Sequence, residues 1–181
     1  LQHRLFHYRV RLFQEMRERL ADQNIELRLI HGQPSQRDRQ RKDCAQLDWS
    51  TQVRNRYFDI RGVELIWQTL SGAISGSDLV VIMQESRVLS NYPLLVRRQV
   101  ARGSRKIAYW GHGVNFQSTR PNGIRERWKT MMTTRVDWWF AYAEGTKNLV
   151  AQRGFPEERI TCLNNSIDTK SLRRSYEMII S

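Results

Sequence analysis

Arg105-Lys106-Ile107-Ala108-Tyr109-Trp110-Gly111-His112-Gly113, continued by Val114-Asn115-Phe116-Gln117, is the stretch around which the chain is organised. Its first half has the composition of a strand, because an apolar, aromatic-rich run between a basic turn and glycines packs well on a pleated surface. Its second half is a loop. Gly111 and Gly113 let the backbone turn on either side of His112, which leaves the imidazole at the carboxyl end of a strand. Open α/β sheets hold their ligands there. The plain alternative is a turn histidine whose ring bonds a nearby carbonyl, so His112 taken alone does not decide a function.

Working outward, residues 79–83 (Leu-Val-Val-Ile-Met) form an apolar run of the kind buried on both faces of a parallel sheet, ending in the polar cluster Gln84-Glu85-Ser86-Arg87. A helix is expected next, capped by Ser90 or Asn91, with Pro93 in its first turn and Gly103 as its stop. Downstream, Asp137 precedes a predicted strand over 138–142 that ends in Ala143-Glu144-Gly145-Thr146. A short helix then runs to Arg153, Gly154 ends it, and a strand over 160–163 stops at Asn164-Asn165-Ser166-Ile167-Asp168. A last helix starts at Thr169 or Ser171.

Upstream, the spacing of Phe13, Met16 and Leu20 predicts a helix over 8–23, and residues 25–30 alternate apolar and charged as a strand does. The polar residues 33–48, with Arg37, Arg39, Arg41 and Lys42, read as a solvated loop rather than a phosphate site. Residues 53–60 and 63–67 are two extended segments around Arg61-Gly62. Residues 123–135 read as a basic amphipathic helix; its apolar stripe packs on the sheet, with an anionic membrane surface as its other use.

Strands and helices therefore alternate, which argues for an α/β, Rossmann-like open parallel sheet flanked by helices on both faces, formed by strands 25–30, 79–83, 106–110, 138–142 and 160–163. Neither the dinucleotide fingerprint G-x-G-x-x-G nor the P-loop pattern follows any strand.

The 181 residues suit one domain, and 40% hydrophobic with 27% charged residues places the chain among globular proteins. No apolar run approaches the ~20 residues of a membrane-spanning helix. His3, Arg4, His7 and Arg9 interrupt the start where a signal peptide would be apolar. Cys44 and Cys162 are far apart and lack zinc-type spacing, so they read as reduced thiols of a cytoplasmic protein. The first residue is Leu rather than Met, which reads as a fragment or processed piece of a longer protein. A net charge of +12 attracts polyanions without choosing among nucleic acid, anionic lipid and phosphorylated substrates.

Taken in order, His3-Arg4 with Tyr8-Arg9-Val10, Trp110-Gly111-His112-Gly113, Asp137-Trp138-Trp139-Phe140-Ala141-Tyr142, Gly154-Phe155-Pro156, Arg159-Ile160 and Asn165-Ser166-Ile167-Asp168 resemble the amino-terminal domain of a retaining glycosyltransferase of the GT-B fold, in the large group-1 family. The single motifs are loose, but their ordered set spans nearly the whole chain. The resemblance implies one of two Rossmann-like domains facing each other across a cleft: this one binds the acceptor, a glycan or lipid-linked molecule, and a carboxyl-terminal domain absent from residues 1–181 holds the nucleotide-sugar donor. It implies that His112 faces the donor sugar or its pyrophosphate as the catalytic residue. Gln84, Glu85, Gly111, Gly113, Asn115, Glu144, Thr146 and Asn165 would line the acceptor or donor-phosphate side. The family's glycine-rich loop after the first strand is missing at Arg4-Leu5-Phe6-His7, so Arg4 or Arg9, with Tyr8 nearby, would stand in for backbone amides at phosphate. Glu18 and Glu26 match the spacing of the family's donor-site glutamates, but they fall at a predicted helix and strand near the amino end and are read as coincidence.

The resemblance implies no metal or other cofactor, because cationic side chains and helix amino termini can stabilise a leaving diphosphate. The expected location is cytoplasmic, including the inner face of the cell membrane. The alternative from another class is a non-catalytic, Rossmann-like binding module for nucleic acid or an anionic membrane surface. Nucleic acid is disfavoured, since Trp110, Trp138 and Trp139 fall in predicted strands where burial explains them.

Overall fold

The apolar runs become strands and the polar clusters between them become turns in the computed structural model, which describes residues 1–70, 72–100, 105–113, 131–164 and 169–180. In chain order the elements are α1 (Val10–Ala21), β1 (Ile30–Gly32), α2 (Gln36–Gln40), β2 (Thr51–Val53), β3 (Asn55–Ile60), β4 (Val63–Gln68), β5 (Leu79–Met83), α3 (Asn91–Val100), β6 (Lys106–Gly111), β7 (Trp138–Ala141), α4 (Glu144–Gln152), β8 (Ile160–Cys162) and α5 (Thr169–Ile180). The chain divides into two compact units, one of Leu1 with residues 55–165 and one of residues 2–54 with 166–181.

The larger unit is a mixed α/β arrangement around a four-stranded, all-parallel sheet in the order β5-β6-β7-β8, with α3 and α4 as crossover helices. Five of the six residues of β6 are buried, as a strand covered on both faces requires. Its Ile107 and Tyr109 join Val80, Ile82, Leu95, Trp139, Ala141, Val150 and Ile160 in one core. Trp139 is fully buried, and its indole N–H donates to the Thr133 carbonyl at 2.9 Å, so the large ring leaves no orphaned polar atom behind.

Asp137, just ahead of β7, joins three elements at the amino end of the sheet. Its carboxylate accepts two hydrogen bonds from Arg98 of α3, both 2.8 Å, and a third from the Ile107 backbone N–H of β6 at 2.9 Å. The Arg98 hydrogen bonds hold the Asp137 carboxyl below the ordinary carboxylate range, against the opposing effect of partial burial.

The same unit carries an antiparallel hairpin, β3 with β4, paired from Asn55↔Gln68 to Ile60↔Val63. Arg61 and Gly62 close it with positive φ of 52° and 78°, as a two-residue turn of the primed type requires. Ile66 of β4 also bonds to the segment after β5, through Ile66 N–H to Arg87 O at 2.8 Å and Leu89 N–H to Ile66 O at 2.7 Å.

The smaller unit holds α1, entered through a 3-10 turn at His7–Arg9, a two-stranded parallel sheet of β1 and β2, the short α2, and α5. Two expectations are corrected here. Residues 25–29 are not a strand of the parallel sheet: only Ile30 of the predicted 25–30 segment is extended into β1, which pairs with Thr51–Val53. The reason is visible in burial, since Ile25 is exposed and only Leu29 and Ile30 are inside. The 33–48 stretch is also not all loop. Ser35 accepts from Asp38 N–H while Asp38 accepts from Ser35 N–H, a capping box that starts α2.

The predicted helix over 123–135 falls mostly outside the described residues, apart from a helical stretch at 131–133. Among the described residues no helix is long and apolar enough to cross a membrane, and Cys44 and Cys162 are free thiols.

Two outcomes follow. Asp137→Ala, which removes three charge-assisted hydrogen bonds, is expected to lower unfolding stability by about 2–3 kcal/mol in urea titration, whereas Lys106→Ala, whose exposed ammonium lies 3.9 Å from Asp137, changes it by less than about 1 kcal/mol. Equal effects would remove Asp137 from its role as a junction.

His31 supplies a pH dependence. It is buried in β1 with Nδ1 at 3.1 Å from the Gly32 carbonyl; burial lowers its pKa below the ordinary 6.5, and the Gly32 hydrogen bond opposes this only in part. Between the folded value and 6.5 the unfolded chain binds a proton that the folded chain does not, so stability rises with pH there and is complete above 6.5. The urea midpoint should fall as pH is lowered from about 7.5 to 5.5, and His31→Asn should flatten that slope. A slope unaltered by the substitution would assign the effect to other groups.

Candidate functional site

The carboxyl edge of the parallel sheet gathers several of the residues singled out above. Gln84 leaves β5 and turns its side-chain amide onto the loop after β6: Gly113 N–H donates to Gln84 Oε1 at 2.8 Å, and Gln84 Nε2 donates to Gly113 O at 3.2 Å. A side chain thus mimics a strand neighbour and pairs with both polar groups of one glycine. The approach is close enough that a Cβ on Gly111 would lie 2.7 Å from the Gln84 Cβ, so a glycine is needed at 111. Gly113 has φ of +73°, and a Cβ there would meet Val150 at 3.0 Å and Thr146 at 3.3 Å, both on α4.

Between these two glycines His112 is exposed. Its ring lies 4.2 Å, centroid to centroid, from that of Tyr142 and tilted by 40°. That contact follows from sheet register, because Gly111 pairs with Ala141 and the next residues out are His112 and Tyr142. Arg153 reaches the same glycine, its Nη1 donating to the Gly113 carbonyl at 2.9 Å. Gly113 is therefore fastened from beyond β5 by Gln84 and from the end of α4 by Arg153. The exposed His112 imidazole rests against the Tyr142 ring. Such a group can donate a hydrogen bond or exchange a proton with a bound molecule.

The other predicted residues divide. Glu144 is exposed in the first turn of α4, and Thr146 is buried beside Gly113 as packing. The Glu85 carboxylate accepts from Arg87 Nε at 2.9 Å. Asn115 and Asn165 lie outside the described residues.

Arg4, Tyr8 and Arg9 belong to the smaller unit. Of the two cations expected at phosphate, Arg4 or Arg9, Arg4 has its charge paired inside the fold. Its side chain is 3% exposed and ion-paired with Asp43 and, at 3.4 Å, with Asp38, while its guanidinium lies 4.3 Å from the centre of the Phe6 ring. Burial of Asp43 works against ionisation, but Arg4 outweighs it and holds that carboxyl below the ordinary range. A guanidinium neutralised by two carboxylates inside the fold is a structural charge, not a free anion ligand. Arg9 is buried also, and Tyr8 is partly exposed, stacked 5.2 Å from Phe6.

Tyr142 and Arg153 are the residues that sequence reasoning missed. Tyr142 had a signal, its place at the end of a strand next to that of His112, but using it requires the register. Arg153, 40 residues from Gly113, had none. Among the described residues no group of three or more His, Cys, Asp or Glu stands ready to hold a metal ion. Compared with known proteins, the chain matches no family model, no curated protein and no solved structure.

Gly111→Ala should force Gln84 away from the loop and cost about 1–3 kcal/mol of stability, as overpacking does. Gly145→Ala, with open space around the added methyl on α4, should be neutral or stabilising by less than about 1 kcal/mol. Thermal denaturation of the two variants decides it: equal behaviour would mean that the Gln84 approach does not constrain position 111.

Proposed function

We propose that this chain is the acceptor-side half of a retaining glycosyltransferase of the GT-B type, working with a donor-binding domain on a nucleotide sugar and a glycan or lipid-linked acceptor. The observation that carries the reading is the exposed imidazole of His112, held by a fastened glycine loop at the carboxyl edge of a parallel sheet. The ordered motif set quoted from the sequence supports the same reading. In this role His112 donates a hydrogen bond to the donor sugar or its diphosphate as negative charge develops, and Gln84 and Arg153 keep its loop in place. Phosphate charge would be met without Arg4, whose own charge is already paired.

The +12 charge favours a second reading, a non-catalytic module for a polyanionic surface. The tryptophans give that reading little help for nucleic acid: Trp139 and Trp110 are buried, and the Trp138 indole N–H donates to Thr161 Oγ1 at 2.9 Å.

Residues 1–181 alone should transfer no sugar, because the near-attack geometry that supplies roughly 7–11 kcal/mol needs both walls of a cleft. In the longer protein that joins this chain to a donor-binding domain, His112→Ala should lower turnover by about 10²–10³, read as nucleoside diphosphate release, with an unchanged circular dichroism spectrum. Unchanged turnover would return His112 to the role of a turn residue; transfer by residues 1–181 alone would overturn the half-site reading.

A further inference from the structure

The β3–β4 hairpin turns an apolar face to solvent. Cross-strand partners share a face, so the register puts Arg56, Phe58 and Ile60 of β3 on the same side as Trp67, Leu65 and Val63 of β4. That side is the open one: Phe58 is 46% exposed, Ile60 55%, Val63 40% and Trp67 40%. The opposite face holds the fully buried Ile66 together with Asn55 and Gln68, both polar and both buried. A hairpin anchored by Ile66 and two polar residues, with five apolar side chains on its outer face of which four are exposed, presents a patch of the kind that marks an interaction surface.

We propose that this face of the hairpin seats the chain on an anionic lipid bilayer, with the Phe58, Ile60, Val63, Leu65 and Trp67 side chains in the interfacial layer and Arg56 and Arg61 at the headgroups. The inference does not rest on the glycosyltransferase reading. Charge chooses the occupant. On the patch face the charged group is Arg56, across from Trp67; the turn adds Arg61, beside which the Asp59 carboxylate is occupied by the Gly62 N–H at 2.9 Å, and Glu64 lies on the other face. The whole chain carries +12. A second copy would bring two such charges together with Arg56 facing a like surface, over six residues where a stable interface uses roughly 20–30 a side. A nucleic acid would find two aromatic rings to stack on, but Ile60, Val63 and Leu65 offer it no stacking or hydrogen bonding. Lipid satisfies both halves of the patch, since aromatic and aliphatic groups enter the interface while arginines meet phosphate.

The test is sedimentation of the chain with vesicles of phosphatidylcholine, alone or mixed with phosphatidylglycerol, at increasing salt. Bulk charge by itself would draw the chain to the mixed vesicles, so the deciding variant is Phe58→Thr with Ile60→Thr, which keeps strand-favouring residues on an exposed face and should leave the circular dichroism spectrum unchanged. It is expected to weaken partitioning at least tenfold. Arg56→Gln with Arg61→Asn, the asparagine chosen for the positive φ at 61, should reduce the salt dependence. Three results would overturn the proposal: partitioning of the threonine variant equal to wild type, a concentration-dependent dimer that the threonine pair abolishes, or retention of a single-stranded RNA oligonucleotide that the same pair abolishes.

Discussion

The Asp137 carboxylate is the constraint on which the larger unit depends. One side chain closes a bidentate pair with Arg98 of α3, receives the Ile107 N–H from β6, and stands at the first residue before β7. Parallel strands cannot be joined by a tight turn, so the amino ends of β6 and β7 are brought together by residues far apart in sequence. Asp137 supplies such a link and extends it to the helix that crosses between β5 and β6. Its cationic partner is an arginine for a geometric reason: the planar fork can fill two carboxylate positions at once.

Much of this unit was legible in the sequence. The run 79–83, the aromatic strand ending at Gly111, the strand beginning at Trp138 and the stop at Gly154 all appear where apolar patterning and turn residues put them. The β6 segment is covered on both faces, so its burial is nearly uniform, whereas β5 and β7 alternate between buried and more open residues and each starts on an exposed one. The segment 25–30 misled because alternation records only that a chain has two unlike faces; it does not say which strand lies beside it. Its partner is the short Thr51–Val53 strand, whose polar residues gave little notice of pairing. The α2 helix was missed for the opposite reason, as its signal is the local pair Ser35 and Asp38 inside an otherwise polar stretch.

The candidate site was half legible. Two glycines around a histidine after a strand are a local pattern, and so is a polar residue directly after a neighbouring strand, so Gln84 and His112 can be singled out from the sequence. Tyr142 and Arg153 act across the sheet and from the end of α4, and nothing in their immediate sequence announces it. Arg4 shows the reverse limit. A cation near the start of the chain reads as available charge until its carboxylate partners, 34 and 39 residues away, are placed beside it.

The fastening of the His112 loop answers a problem that its own sequence creates. Glycine on both sides gives His112 the room to project, but each glycine has more conformational freedom to lose than any other residue, so the unfastened loop would sample many positions of the imidazole. Gln84 removes that freedom by bonding both polar groups of Gly113, and Arg153 bonds the same carbonyl from a second element. Each contact depends on the other features of the loop. Gln84 can come so close only because position 111 has no Cβ, and Gly113 can turn against Val150 and Thr146 only because it too has none. The glycines are thus the condition for the restraint as well as the reason it is needed. A histidine held in this way can meet a ligand with little further loss of conformational freedom, which is the physical content of calling the site preorganised.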